Sequence, residues 1–172
     1  FDCNLYWTAD RAALLGALSI LPEYLRSQAA ESGSAIDYRD WQVPLGRRFR
    51  ALKLWFLIRE QGVSGLQARL RRDLENARWL AAQVAAAPAW RALAPVPLQT
   101  VCVRHEPPGM TPEAMDSHTQ VWCDRINRSG QVYLTPATLD GRWMVRVSIG
   151  SEHTERADVE RLWAVMQHEV SR

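Results

Sequence analysis

Side chains with chemical reactivity are few in this sequence of 172 residues. Its single lysine, Lys53, carries an amine that could form a Schiff base with a carbonyl group. No cysteines are spaced as C-x-x-C, and the histidines lack metal-ligand spacing, so we predict no metal site and free thiols. The cysteines and histidines are Cys3, Cys102, Cys123, His105, His118, His153 and His168.

Arginines dominate the positive charge, and three of them lie together at Arg47, Arg48 and Arg50. They follow Pro44 and Gly46, where a helix is expected to begin near Leu45. Positive charge there opposes the helix dipole. Two interpretations remain open, a solvated or ion-paired basic patch and a buried polar cluster at a subunit or ligand interface. The sequence has no phosphate-binding loop, nucleophile elbow or dinucleotide fingerprint.

The elements that must position these residues follow from periodicity. Phe1 to Trp7 alternates apolar and polar residues as a strand does, and a short helix follows between Asp10 and Leu18. The segment 26–35 is small, polar and without apolar periodicity, which predicts a mobile loop. The helix after Leu45 is apolar on most sides, with Phe49, Leu52 and Phe56 on one face, and we expect it to be buried.

A second helix, after Gly62, is predicted to end at Pro88, with the charged residues at 69–75 on a solvated face. From Trp90 onward the pattern predicts a strand at 98–104, a helix from Thr111, two strands joined at Asp140-Gly141 and a last helix from Thr154. This order indicates a small α+β domain with helices on one face of an antiparallel sheet.

The bulk composition describes a globular chain, with 47% hydrophobic and 23% charged residues. A net charge of +2 gives no reason to expect nucleic acid or an anionic membrane as a partner. The first strand would need a sheet to join, so we interpret the sequence as part of a larger protein whose upstream half is absent.

The stretch DYRDWQVPLGRRFRALKLWF, which begins at Asp37, closely resembles a signature of the group II pyridoxal-phosphate decarboxylases. The resemblance extends from Phe1 to near the C-terminus and covers only the C-terminal part of such an enzyme. It implies an α/β fold of pyridoxal-phosphate fold type I, which is aspartate-aminotransferase-like. Residues 1–44 would end the large cofactor-binding domain and carry a mobile catalytic loop at about 22–36. Residues 45–88 would form linking helices, and residues 89–172 the α+β small domain.

The resemblance gives Tyr24 a role as the acid on a lid over the neighbouring subunit's active site. It would protonate the substrate Cα after CO₂ leaves, and a phenol can do this when it is held close and shielded from water. From the residues alone, the favoured interpretation of Tyr24 is a tyrosine packed at the base of a loop.

Leu45 and Gly46 occupy the position that borders the substrate side chain in this family. A glycine there leaves room for a bulky ring, so the resemblance implies an aromatic L-amino acid, with tryptophan slightly ahead of tyrosine, DOPA or phenylalanine. The other interpretation of Gly46 is a glycine that permits close packing at the start of a helix.

The cofactor implied is pyridoxal 5'-phosphate, yet no cofactor-binding residue is assigned in this chain. The family's Schiff-base lysine belongs to a motif upstream of Phe1, and Lys53 does not match it. The resemblance further implies a cytoplasmic homodimer with active sites at the subunit interface. Two alternatives remain: an aromatic aldehyde synthase on the same scaffold, and a catalytically inert dimerisation or regulatory fragment.

Overall fold

The computed structural model describes residues 4–19, 32, 34, 36–44 and 46–171. The chain divides into two compact units, Phe1–Gly62 and Val63–Arg172. The domain boundaries drawn from the resemblance, after residues 44 and 88, remain predictions. No helix in the described ranges is both long and apolar enough to cross a membrane.

The first unit contains helix α1 (Arg11–Leu18), a short 3-10 helix (Tyr38–Trp41) and the start of helix α2 (Ala51–Ala86). Asp10 caps α1, because its carboxylate accepts a hydrogen bond from the Ala13 amide at 3.0 Å. The helix predicted between Asp10 and Leu18 is therefore confirmed. The Arg11 guanidinium lies 5.0 Å from the centre of the Trp41 ring, which places α1 against the 3-10 helix.

The strand predicted for residues 1–7 is wrong in the part that the structure describes. Residues 4–8 form no strand, and Leu5, Tyr6 and Trp7 are exposed. Alternation alone does not make a strand, because a strand also needs a neighbour for its backbone hydrogen bonds. Phe1, Asp2 and Cys3 lie outside the described residues, as does most of the loop predicted at 26–35.

The helix expected from Leu45 begins six residues later, at Ala51. Residues 46–50 are irregular, and a hydrogen bond of 2.8 Å from the Arg50 amide to the Arg48 carbonyl closes a tight turn there. Positive side chains are unfavourable in a first helical turn, which accounts for the later start. The face predicted to be buried is exposed in this chain at Phe49, Leu52 and Phe56.

Helix α2 is interrupted at Gly62, whose φ of 65° and ψ of 176° are not helical. This agrees with the predicted change of helix at Gly62. The stretch after Gly62 buries a stripe made of Asp73, Asn76, Ala77, Leu80 and Val84. Asp73 was expected on the solvated face and is only 1% exposed, so that assignment is wrong. The charge of Asp73 indicated solvent, whereas its position one turn before Asn76 and Ala77 puts it on the buried face.

The second unit is built on a four-stranded antiparallel sheet of order β1-β2-β4-β3. The strands are β1 (Trp90–Ala92), β2 (Thr100–His105), β3 (Thr135–Leu139) and β4 (Arg142–Ser148). β3 and β4 are joined at Asp140 and Gly141, which have φ of 49° and 74° and therefore form the tight hairpin turn that was predicted.

Helices α3 (Pro112–Ser129) and α4 (Arg156–Val170) complete this unit. Thr111 caps α3, and Gly130 ends it in the left-handed conformation. Buried residues of the sheet and the helices form one core cluster, which confirms the predicted α+β arrangement. Its largest members include Leu80, Trp90, Val103, Trp122, Val145, Trp163 and Met166.

Candidate active site

An open cleft of about 890 Å³ lies in the first unit, directly after Gly46 in sequence. It is lined by Asn4, Tyr6, Tyr38, Gln42, Arg47, Arg48, Phe49, Arg50 and Ala51. Three arginines and two tyrosines therefore line one space, and none of the described residues that line it is acidic. Guanidinium groups bind carboxylates and phosphates, and the aromatic rings offer apolar walls. The cleft suits a ligand that carries an anionic group and a ring.

The 3-10 helix forms one wall of this cleft through Tyr38. Asp37 caps that helix by accepting from the Arg39 amide at 3.2 Å, and its carboxylate also pairs with the Arg39 side chain at 3.0 Å. Asp40 lies 3.7 Å from the same guanidinium. Asp37 and Asp40, on either side of Tyr38 in sequence, are thus paired with Arg39. Tyr38 in turn packs near Trp41, with ring centres 5.8 Å apart.

The predicted site residues are only partly described. Gly46 is exposed, and a Cβ built on it would have no atom of the chain within 4 Å. Close packing at a helix start, the alternative interpretation of this glycine, therefore has no support within the described chain. Tyr24 and Leu45 lie outside the described residues, so their roles stay predictions.

Tyr6, Tyr38 and Gln42 line the cleft and were not singled out from the sequence. Tyr38 and Gln42 belong to the polar opening of the recognised stretch, which was a usable signal. Tyr6 carried no such signal, because its alternation with apolar neighbours indicated a strand. The three arginines line this cleft on a surface that is exposed in the described chain, so the solvated or ion-paired patch and the cluster at an interface both stay predictions.

A second group of ionisable residues lies in the second unit, where His105 Nδ1 and His118 Nε2 are 2.9 Å apart. Burial lowers the pKa of both histidines, and the neighbouring His118 and Arg125 lower those of His105 and His118 respectively. Thirteen residues separate the pair, and nothing in the sequence indicated that they meet. No described group of three or more His, Cys, Asp or Glu side chains could hold a metal ion.

The buried thiol of Cys123 is not suited to nucleophilic chemistry. Burial, with a smaller contribution from Asp124, raises its pKa to about 11. The thiol therefore stays protonated at neutral pH, and only the thiolate is a strong nucleophile.

Comparison with known proteins identifies the family. Residues 1–106 match the model of the pyridoxal-dependent decarboxylase conserved domain, and the chain belongs to this family. Tryptophan decarboxylase 2 of Oryza sativa subsp. japonica is 34% identical over 172 residues, which cover 100% of this chain and 35% of that protein. Phenylacetaldehyde synthase of Arabidopsis thaliana is 34% identical, over 99% of this chain and 35% of that protein.

A crystal structure of Oryza sativa TDC with PLP and tryptamine matches 91% of this chain and 33% of that chain, with a TM-score of 0.84 and 31% identity. The fold prediction is confirmed, since the mixed helix and sheet form a fragment of pyridoxal-phosphate fold type I. The chain spans about a third of the length of the relatives it matches.

The residues that line the cleft do not by themselves form a pyridoxal phosphate site. None of them is a lysine, and Lys53 is exposed on α2. Pyridoxal phosphate is anchored through a lysine Schiff base, with a charged partner at its ring nitrogen. We therefore derive no cofactor-dependent step from this chain's residues.

Proposed function

We propose that this chain is the C-terminal portion of a pyridoxal-phosphate-dependent decarboxylase that converts an aromatic L-amino acid into its amine and CO₂. The observation that carries the proposal is the family match over residues 1–106. Relatives named as tryptophan and tyrosine decarboxylases support an aromatic substrate. The cofactor-anchoring lysine would come from the upstream part of the enzyme.

Within this proposal, Leu45 and Gly46 border the substrate ring. An exposed glycine with open space around it is compatible with a bulky ring at this position. The neighbouring cleft, with Arg47, Arg48 and Arg50, supplies positive charge to orient an anionic group. This arrangement favours substrates that combine a ring with a carboxylate.

We further propose a cytoplasmic homodimer with the active site at the subunit interface. The free thiols of Cys102 and Cys123 suit a reducing compartment. Exposed Trp55 and Phe56 on α2 suit a surface that a further part of the enzyme covers.

The second candidate function is an aromatic aldehyde synthase on the same scaffold. The similarity to a phenylacetaldehyde synthase favours it. Tyr24 argues against it, since the resemblance places phenylalanine at the lid position of aldehyde-forming relatives. An inert dimerisation fragment is the remaining alternative.

Tyr24→Phe in the intact enzyme separates these possibilities, because it removes only the phenolic oxygen. If Tyr24 protonates the substrate carbon, amine formation should fall by about 10²–10⁴-fold, the usual contribution of a general acid. The unprotonated carbon should then be oxidised by O₂, so aldehyde and peroxide should rise. The measurement is amine, aldehyde and peroxide under air. An unchanged amine yield without aldehyde would contradict the proposed role of Tyr24.

A further inference from the structure

The His105–His118 pair joins the end of β2 to helix α3. The two ring nitrogens, His105 Nδ1 and His118 Nε2, lie 2.9 Å apart, and the ring centres are separated by 5.2 Å. Imidazole nitrogens hydrogen-bond to each other only when one donates and the other accepts. The contact therefore tolerates two neutral rings or one protonated ring, but not two protonated rings.

The pair is also attached to the core of the second unit. The Trp90 ring lies 5.0 Å from the His105 ring, and the same indole contacts Trp122 at 5.7 Å and Trp163 at 5.0 Å. Trp90 is 3% exposed, whereas the two histidines are only half-buried. Protons can thus reach the pair from solvent, while movement of His105 disturbs a ring of the core.

Charged groups around the pair offer it no carboxylate partner. On β2, the Arg104 guanidinium lies 2.5 Å from an Asp116 carboxylate oxygen and 3.9 Å from a Glu106 carboxylate oxygen, so it forms ion pairs with both. On α3, Arg125 pairs with Glu169 of α4.

In the described chain, no carboxylate hydrogen-bonds to either imidazole. From β1, Trp90 packs on His105, and the Arg91 guanidinium donates to the Trp90 carbonyl at 3.0 Å, which adds further positive charge. On β4, the Trp143 amide donates to Asp116 at 3.0 Å. Nothing here would compensate the charge of a second imidazolium.

We propose that the His105–His118 pair is a proton-operated clip, which fastens α3 to β2 while at most one imidazole is protonated and releases it when both are. The clip closes the ends of the turn at 106–111, which carries Gly109 with φ of 87°. Its release loosens this turn and removes one of the contacts between β2 and α3, beside the Arg104–Asp116 pair that also joins them.

The direction of the pH dependence follows from the surroundings. Burial, together with His118 and Arg125, lowers the pKa of both histidines in the folded chain below the usual 6.5. The folded state therefore binds these protons less readily than the opened state. The stabilisation is fully present above pH 6.5 and is lost as the pH falls below it.

Hydrogen exchange of the amides at residues 104–120 in the intact protein tests the clip between pH 5 and pH 8. Rates are divided by those of an unprotected peptide at the same pH. Opening takes up two protons when the closed pair is neutral and one when the closed pair already holds a proton. Log protection should therefore fall below pH 6.5 with a slope above about one and up to about two per pH unit.

Glutamine variants show which side chains take up the protons, because an amide can still donate and accept hydrogen bonds but does not titrate. His105→Gln and His118→Gln should each reduce the slope to about one or less, and the double variant should show none. His153→Gln and His168→Gln, at exposed histidines of the same unit, should behave as the wild type. Flat protection in the wild type, or an unchanged slope in the double variant, would overturn the proposal.

Discussion

Asp116 joins two strands of the second unit through a single carboxylate oxygen. Its Oδ1 accepts from Arg104 at 2.5 Å and from the Trp143 amide at 3.0 Å. One carboxylate on α3 thus binds β2 and β4. The Arg104 side chain is 3% exposed, so its charge depends on this partner and on Glu106 at 3.9 Å.

Asp116→Ala should therefore destabilise this unit by about 3 kcal/mol, because it leaves a buried guanidinium poorly paired. The matched control is Asp124→Ala on the same helix. Asp124 pairs with Arg128 at 3.8 Å, and both side chains are exposed. That variant should change stability by less than about 1 kcal/mol. Exchange of the β2 and β4 amides in the intact protein measures both opening free energies. Equal losses in the two variants would disprove the special role of Asp116.

Gly46 is a second single residue whose substitution is informative, because open space surrounds it in the described chain. A serine there meets no atom of the described chain within 4 Å of its Cβ. If Gly46 borders the substrate ring as proposed, a serine there crowds the substrate, which costs ~1–3 kcal/mol in a filled pocket.

Gly46→Ser should lower kcat/KM for tryptophan by about tenfold to a hundredfold, and by less for smaller amino acids. Gly16→Ser is the control, because Gly16 also has open space around it and is not one of the residues that line the cleft. It should leave the preference between substrates unchanged. An equal loss for all substrates with Gly46→Ser would mean that this glycine acts through its backbone alone.

At the scale of elements, α2 combines two different environments along one helix. Before Gly62 its apolar residues Trp55 and Phe56 are exposed, and after Gly62 it buries Ala77, Leu80 and Val84. Gly62 separates the two parts with φ of 65° and ψ of 176°, a combination almost restricted to glycine.

Gly62→Ala should cost about 1–3 kcal/mol, since alanine is strained in this backbone conformation. Gly16→Ala, within α1, should instead raise the free energy of unfolding by up to ~1 kcal/mol. Alanine restricts the unfolded chain, and no described atom crowds its Cβ. Thermal unfolding of the intact protein compares the two. A neutral Gly62→Ala would indicate that the helix passes through this position without a break.

Elements with strong local signals were predictable from the sequence. The cap at Thr111, the stop at Gly130 and the turn at Asp140-Gly141 each have a residue whose backbone preference matches the structure. Local signals failed where the outcome depends on distant partners. The alternation in residues 1–7 has no described strand beside it, and burial of Asp73 depends on packing that spacing does not specify.

The sequence predicted only some of the residues of the candidate site. The recognised stretch indicated Gly46 and the three arginines, which the structure places at and beside one cleft. Tyr6 was missed because it comes from a segment distant in sequence. The His105–His118 contact was missed for the same reason.

At the scale of the whole molecule, two compact units make up a chain that spans about a third of the length of its relatives. The cleft supplies positive charge and aromatic walls but no lysine. The proposed activity is therefore measured on the intact protein.

The most direct measurement is product analysis of the intact protein, supplied with pyridoxal phosphate and with tryptophan, tyrosine, DOPA or histidine in turn. An aromatic amino acid decarboxylase should release one CO₂ for each amine formed, with an aromatic amino acid preferred over histidine. Aldehyde as the main product, or no CO₂ from any of the four, would contradict the proposed function.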